Sequence, residues 1–254
     1  MLSLKFVNGR TLAEKNAGWL TARPFAHRGL HKRGALPVEN SPSAFKAAVA
    51  SGFGIELDVQ CSADGVAMVF HDLTLDRLTG HTGAVAALTA QELGQIKLTG
   101  SNDCIPTLDV VLQMVAGSAP VLVEVKGVKH TDGRLEASVT EAIARNPGDI
   151  AVMSFWPDSL AWFQNNAPSL IRGLVGTTRF DPELGADICR GPEQEWLLLE
   201  LEPDFIAYDV KCLPNNVSTA AHRQGLPVLT WTVRTEADRD RAARYANNII
   251  FENP

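Results

Sequence analysis

Apolar and polar residues alternate most cleanly between Gly54 and Asp72, in the stretch GIELDVQCSADGVAMVFHD. Ile55, Leu57 and Val59 interleave with Glu56, Asp58 and Gln60, a period of two that marks a β-strand and sends both acids to one face. Ala63-Asp64-Gly65 reads as a turn, and Val66 to Phe70 as a second strand ending on His71-Asp72. Upstream, Arg23 to Ala26 is a short extended run that delivers His27-Arg28-Gly29. Ser41 is placed to cap a helix opened by Pro42, with Phe45, Ala48 and Val49 as its apolar face and Gly52 as its stop.

Downstream, the period switches repeatedly. Thr89 predicts a helix over 90–96, and Thr107 another through Leu108, Val111, Leu112 and Val115. Val121 to Lys126 reads as a strand carrying Glu124 and Lys126 outward, two apart. Strands are then predicted at 150–155, 171–175, 204–210 and 227–233, alternating with helices at 158–166, 192–201, 215–224 and 235–246. Asn248 to Phe251 closes the chain. Strand-helix alternation to roughly eight units predicts a parallel sheet clad in helices. At 254 residues a closed (β/α)8 TIM-type barrel is favoured over an open doubly wound sheet, and no Gly-rich dinucleotide fingerprint follows the first strand. Residues 1–21 are expected to form a lead-in anchored by Trp19 and Leu20, and residues 22–254 a single barrel domain.

A chain that is 45% hydrophobic and 20% charged buries a substantial core. The net charge of −6, without any basic run, argues against a nucleic-acid partner, so an anionic substrate requires a local positive site. Cys61, Cys104, Cys189 and Cys212 show no metal-ligand spacing and read as buried free thiols. The first twenty residues lack the apolar segment of a signal peptide, and no stretch is long enough to span a membrane; a cytoplasmic setting is expected. Oligomeric state leaves no trace in the pattern.

In a barrel, the C-terminal strand ends converge on one face. That would bring His27, Arg28, Glu56, Asp58, His71, Glu124 and Lys126 to a single mouth. Acids on a buried strand are costly without a cation, and Glu56, Asp58 and Glu124 are hard oxygen ligands suited to one Mg²⁺ or Ca²⁺. Arg28 offers a fork of donors for phosphate oxygens, and Lys126 a point charge. Two histidines can take and give protons near neutrality. A structural ion-pair network is the plainer reading of the same groups. His31, His81, His130 and His222 read as ordinary surface or core residues.

HRG at 27–29, PVENS at 37–41, ELDVQCSADGVAMVFHD at 56–72, VLVEVK at 121–126, WTV at 231–233 and IIFENP at 249–254 together resemble the glycerophosphodiester phosphodiesterase family. The resemblance implies a barrel that hydrolyses glycerophosphodiesters to sn-glycerol 3-phosphate and an alcohol with a divalent cation. It implies metal binding by Glu56, Asp58 and Glu124, acid/base catalysis by His27 and His71, and phosphate binding by Arg28. It also implies Glu39 as the acid orienting the His-Arg pair, Lys126 as a basic residue near the phosphate, and Trp231 as an aromatic wall at the glycerol end. Attack by the neighbouring glycerol hydroxyl, through a cyclic phosphate, is the route the resemblance favours. The chain departs from the family where Arg234 follows WTV in place of Asn, and where Phe251-Glu252 replaces Thr-Asp. Arg234 is read as a solvated residue at a helix start, or as a contact to a second anionic group. Alternative substrates are lysophospholipids or a sugar phosphodiester; a non-catalytic phosphate-ligand binder is the alternative outside enzymes.

Overall fold

The structure, a computed structural model, describes residues 17–32, 34–127, 130–179 and 191–252. Among these, eight parallel strands close into a barrel: β1 (Phe25–Ala26), β2 (Gly54–Cys61), β4 (Val121–Val125), β5 (Ile150–Ser154), β6 (Ile171–Gly176), β7 (Phe205–Asp209), β8 (Val228–Val233) and β9 (Asn248–Phe251). The two-residue β1 completes the ring, pairing with β2 through Phe25↔Gly54 and with β9 through Phe25↔Ile250. A ninth strand, β3 (Ala67–Val69), runs antiparallel beside β2 as the second arm of the hairpin. The expected TIM-type barrel is therefore present, with one strand of the pattern lying outside the ring.

Strand alternation divides each barrel residue between two environments. Ile55, Leu57, Val59, Val121, Val123 and Val125 face outward and pack under the helices. Leu122, Ala151, Met153, Phe205, Ala207 and Leu229 fill the interior. Leu20, in the short 3₁₀ turn Ala17–Thr21, is fully buried, and Trp19 meets Phe25 edge to face, so both expected anchors seal one mouth of the barrel. Residues 1–16 of the lead-in lie outside the described residues, as does Cys189.

The helices begin where side chains satisfy free backbone N–H groups. Ser41 caps α1 (Pro42–Ala50), Thr89 caps α2 (Ala90–Leu93), and Thr107 caps α3 (Leu108–Val115). Asn215 caps α7 (Asn216–Arg223), and Thr235 caps α8 (Glu236–Tyr245). α5 (Pro157–Asn166) and α6 (Gly191–Leu201) fall where the pattern places them, whereas α2 is one turn instead of the longer helix expected over 90–96. One helix, α4 (Arg134–Arg145), is absent from the sequence reading. It starts behind Gly133, which has no side chain to cap it, although Leu135, Val139 and Ala142 keep helical spacing. Between β3 and α3, Leu75, Val85, Leu93, Ile96, Leu98 and Ile105 form a separate small core against Met68 and Phe70. The three described cysteines are free and half-buried rather than buried. No helix among the described residues is long and apolar enough to cross a membrane.

Candidate active site

Parallel pairing of β2 with β4 sets Asp58 opposite Glu124, and Glu56 sits one rung below on the same face. All three acids point into the barrel, which corrects the outward direction expected for Glu124. One carboxylate oxygen from each lies within 4.8 Å of the others. Glu56 and Asp58 are fully buried, and Glu56 Oε1 and Asp58 Oδ1 accept no well-aligned hydrogen bond. A buried carboxylate oxygen without a partner is rare, and Glu56 Oε1 is one, in a three-acid cluster where Asp58 Oδ1 is met by Lys126. The donor set fits a hard divalent cation.

Cations of the chain surround the cluster. Lys126 Nζ donates to Glu124 Oε1 at 2.5 Å and lies 2.9 Å from Asp58 Oδ1. Arg28 adopts a left-handed backbone (φ 55°), as does Gly29 behind it, where a Cβ would meet Ala44 at 2.9 Å. That turn aims the Arg28 N–H at Glu56 Oε2 (2.9 Å) and lays its guanidinium 3.3 Å from Asp58 Oδ2 and 2.6 Å from Glu39 Oε1. Asn40 clamps Asp58 at two points, donating Nδ2 to Oδ2 (2.8 Å) and accepting the Asp58 N–H (3.2 Å).

Two imidazoles stand at the rim. His27 follows β1, with Nε2 3.9 Å from Glu56 Oε2 and Nδ1 2.6 Å from Glu252 Oε1. His71 follows β3, so it reaches the mouth from the hairpin and not from a barrel strand. Its Nδ1 lies 2.7 Å from Asp72 Oδ1, and its carbonyl accepts from Gln60 Nε2 (2.8 Å). Arg77 grips both Asp72 and Glu39, linking His71 to the Arg28 side of the site. A cleft of about 600 Å³ opens beside these groups, with Arg28, Glu39, Arg77, Arg234 and Glu252 in its wall.

Burial and neighbours tune the ionisable groups in opposite directions. Burial, reinforced by Asp58 and Glu124, pushes Glu56 well above the usual carboxylate range. Burial also opposes ionisation of Asp58, but Lys126, His71 and Arg28 prevail and hold it well below that range. Glu39 is drawn down to about 2 against burial by Arg77 and Arg28. Burial, then Arg28, lower His27 to about 4. Burial works against the charge on Asp72 and Glu252 too, and their histidine and arginine partners overcome it.

Trp231 is on β8 with its Nε1 donating to Ala207 O (3.0 Å) and its ring edge to face with Phe155. It packs against the barrel interior and stays partly exposed. Arg234 is exposed just ahead of the α8 cap, as expected of a residue at a helix start, and its Nε and Nη2 also reach Glu252 Oε2 and Oε1 at 2.7 and 2.8 Å. The two departures from the resembled pattern are thus partners of each other. Asn40, Asp72, Arg77 and Glu252 were not among the candidate site residues. Asn40 lay inside the quoted PVENS and Asp72 directly after His71, whereas Arg77 sits in the segment between β3 and α3 that offered no periodic signal.

The model of the glycerophosphoryl diester phosphodiesterase family matches residues 27–253. A glycerophosphodiester phosphodiesterase of Caldanaerobacter subterraneus subsp. tengcongensis is 29% identical over 245 residues, covering 90% of this chain and 93% of that protein. One from Bacillus altitudinis is 36% identical over 158 residues, 58% of this chain and 63% of its own length. In fold, the chain is similar to a phosphodiesterase of Oleispira antarctica solved in complex with the product sn-glycerol-3-phosphate. The TM-score is 0.74 at 21% identity, covering 90% of this chain and 91% of the other.

Proposed function

The chain belongs to the glycerophosphoryl diester phosphodiesterase family, and from that premise we propose that it hydrolyses glycerophosphodiesters to sn-glycerol 3-phosphate and an alcohol. The observation that carries this reading is the buried triad Glu56, Asp58 and Glu124, with Glu56 Oε1 unpartnered, at a barrel mouth flanked by two imidazoles. The triad would hold one divalent cation, Mg²⁺ or Ca²⁺, which when bound neutralises charge on the phosphate oxygens.

The remaining chemistry belongs to the side chains. Arg28, fixed by Glu39 and Asp58, presents its guanidinium to the phosphate. Lys126 balances the acids and stands beside the same oxygens. His27 and His71 divide the proton transfers: one takes the proton of the attacking hydroxyl, the other protonates the departing alkoxide. The attacking group is the neighbouring hydroxyl of the glycerol moiety or water, and net addition of water yields the two products. Trp231, partly exposed on the interior face, supplies an apolar side for the glycerol. The half-buried free thiols support a reducing, cytoplasmic setting. Leu36, in the cleft wall and exposed, supports testing a lysophospholipid as the second substrate.

³¹P NMR of glycerophosphocholine, glycerophosphoethanolamine and lysophosphatidylcholine, incubated with Mg²⁺, Ca²⁺ and Mn²⁺ in turn, tests the reading. The expected product from the first two is sn-glycerol 3-phosphate, with His71→Ala slower by at least about 10²-fold. Full turnover in excess chelator, or by His71→Ala, overturns it.

A further inference from the structure

His27 and Glu252 are brought side by side by the seam that closes the barrel. Ala26 pairs with Phe251, the His27 N–H donates to Phe251 O (2.9 Å), and Glu252 N–H donates to Val233 O (3.1 Å). Each residue therefore leaves its strand at a fixed height, and the carboxylate meets Nδ1 at 2.6 Å. Glu252 is in turn gripped through both oxygens by Arg234, whose Nε and Nη2 donors are taken up by that contact. An ionised carboxylate only accepts hydrogen bonds, so Nδ1 must carry the proton and Nε2 is the nitrogen turned toward the acid cluster.

The same three-part chain occurs across the site with residues from another part of the sequence. His71 Nδ1 meets Asp72 Oδ1 at 2.7 Å, and Arg77 holds both Asp72 oxygens at 2.6 and 2.7 Å. Both arginines line the one cleft. An imidazole, a carboxylate on its Nδ1 and an arginine behind the carboxylate are assembled twice from unrelated segments.

We infer that Glu252, braced by Arg234, is a positioning residue that fixes which nitrogen of His27 faces the acid cluster. Arg234 acts through Glu252 and does not bind substrate. The inference rests on the phosphodiesterase reading for its kinetic consequences, and on the geometry alone for the state of the ring.

Two measurements test it. In steady-state hydrolysis of glycerophosphocholine, Glu252→Gln is expected to lower kcat at least about tenfold with little change in KM, and Glu252→Asp to recover part of the loss. Arg234→Ala is expected to lower kcat in the wild-type background and to add nothing in the Glu252→Gln background. In ¹⁵N spectra of histidine-labelled, chelator-treated protein, with the His27 signals assigned by His27→Gln, wild type is expected to show the Nδ1–H form. Glu252→Gln, whose amide can accept or donate, is expected to show a mixture. Wild-type kcat in Glu252→Gln, an unchanged His27 spectrum, or a KM rise from Arg234→Ala in both backgrounds overturns the inference. Wild-type protein that cleaves none of the diesters sinks the phosphodiesterase reading instead, and the spectra still decide the geometry.

Discussion

At the scale of single residues, the acid cluster depends on neighbours that carry no charge. Asn40 is buried, holds a left-handed backbone (φ 54°) that asparagine tolerates better than most residues, and meets both the carboxylate and the N–H of Asp58. Asn40→Ala removes both contacts and leaves a buried carboxylate short of partners. The expected outcome is a loss of about 1–3 kcal/mol in urea unfolding. Cation binding to the triad should weaken by roughly 10–100-fold, the usual cost of removing a group that orients a ligand. Calorimetric titration with Mg²⁺ and Ca²⁺ checks the second figure; unchanged affinity would mean that Asp58 is held by Arg28 and Lys126 alone.

At the scale of elements, helix starts show what can be read from a sequence. Ser41, Thr89, Thr107, Asn215 and Thr235 each carry a cap that is local and written in the residue itself, so the helices behind them were legible. α4 was not, because Gly133 opens it by backbone conformation and its buried Glu136 is satisfied by Thr131 and Ser159. The site divides the same way. Glu56 and Asp58 were found because a period of two puts them on one face, and Glu124 because it stands near the end of another strand, while Arg77 and the Arg234–Glu252 pair depend on contacts made only in the folded barrel. α8 offers a pH test away from the site. Asp238 closes the capping box with Thr235 and pairs with Lys211 Nζ. Burial works against its charge, but Lys211 and Thr235 hold it down to about 2. A folded value below the unfolded one of about 3.9 gives stability that is complete above that pH and lost as the pH falls toward the folded value. Asp238→Asn is therefore expected to be less stable than wild type by roughly 2 kcal/mol near neutrality. The gap should narrow steadily below about pH 4 in urea unfolding; a gap that persists undiminished in acid would refute the assignment.

For the whole molecule, the acid cluster is a cost that the barrel carries until a cation arrives. Glu56, Asp58 and Glu124 share one buried site, and when all three are ionised Arg28 and Lys126, the arginine and lysine that touch them among the described residues, leave a negative excess. Burial and the neighbouring acids raise Glu56 well above the usual carboxylate range, so its charge at neutral pH opposes folding. The stability it contributes is present when it is protonated and is lost as the pH rises through its folded value. A cation bound only by the folded chain reverses this, adding about 2.7 kcal/mol at a concentration a hundred times its Kd. For a protein of this length that is a rise in Tm of roughly 5–10 °C. Glu56→Gln keeps the oxygen that accepts the Arg28 N–H and discards the charge. In chelator it is expected to melt at or above wild type, and to gain little when Mg²⁺ or Ca²⁺ is added, whereas wild type rises. Scanning calorimetry of both proteins with and without cation decides the point. A chelated Glu56→Gln protein that melts well below wild type, and still rises with cation, would place the ion elsewhere and make the three acids part of a structural network closed by Lys126 and Arg28.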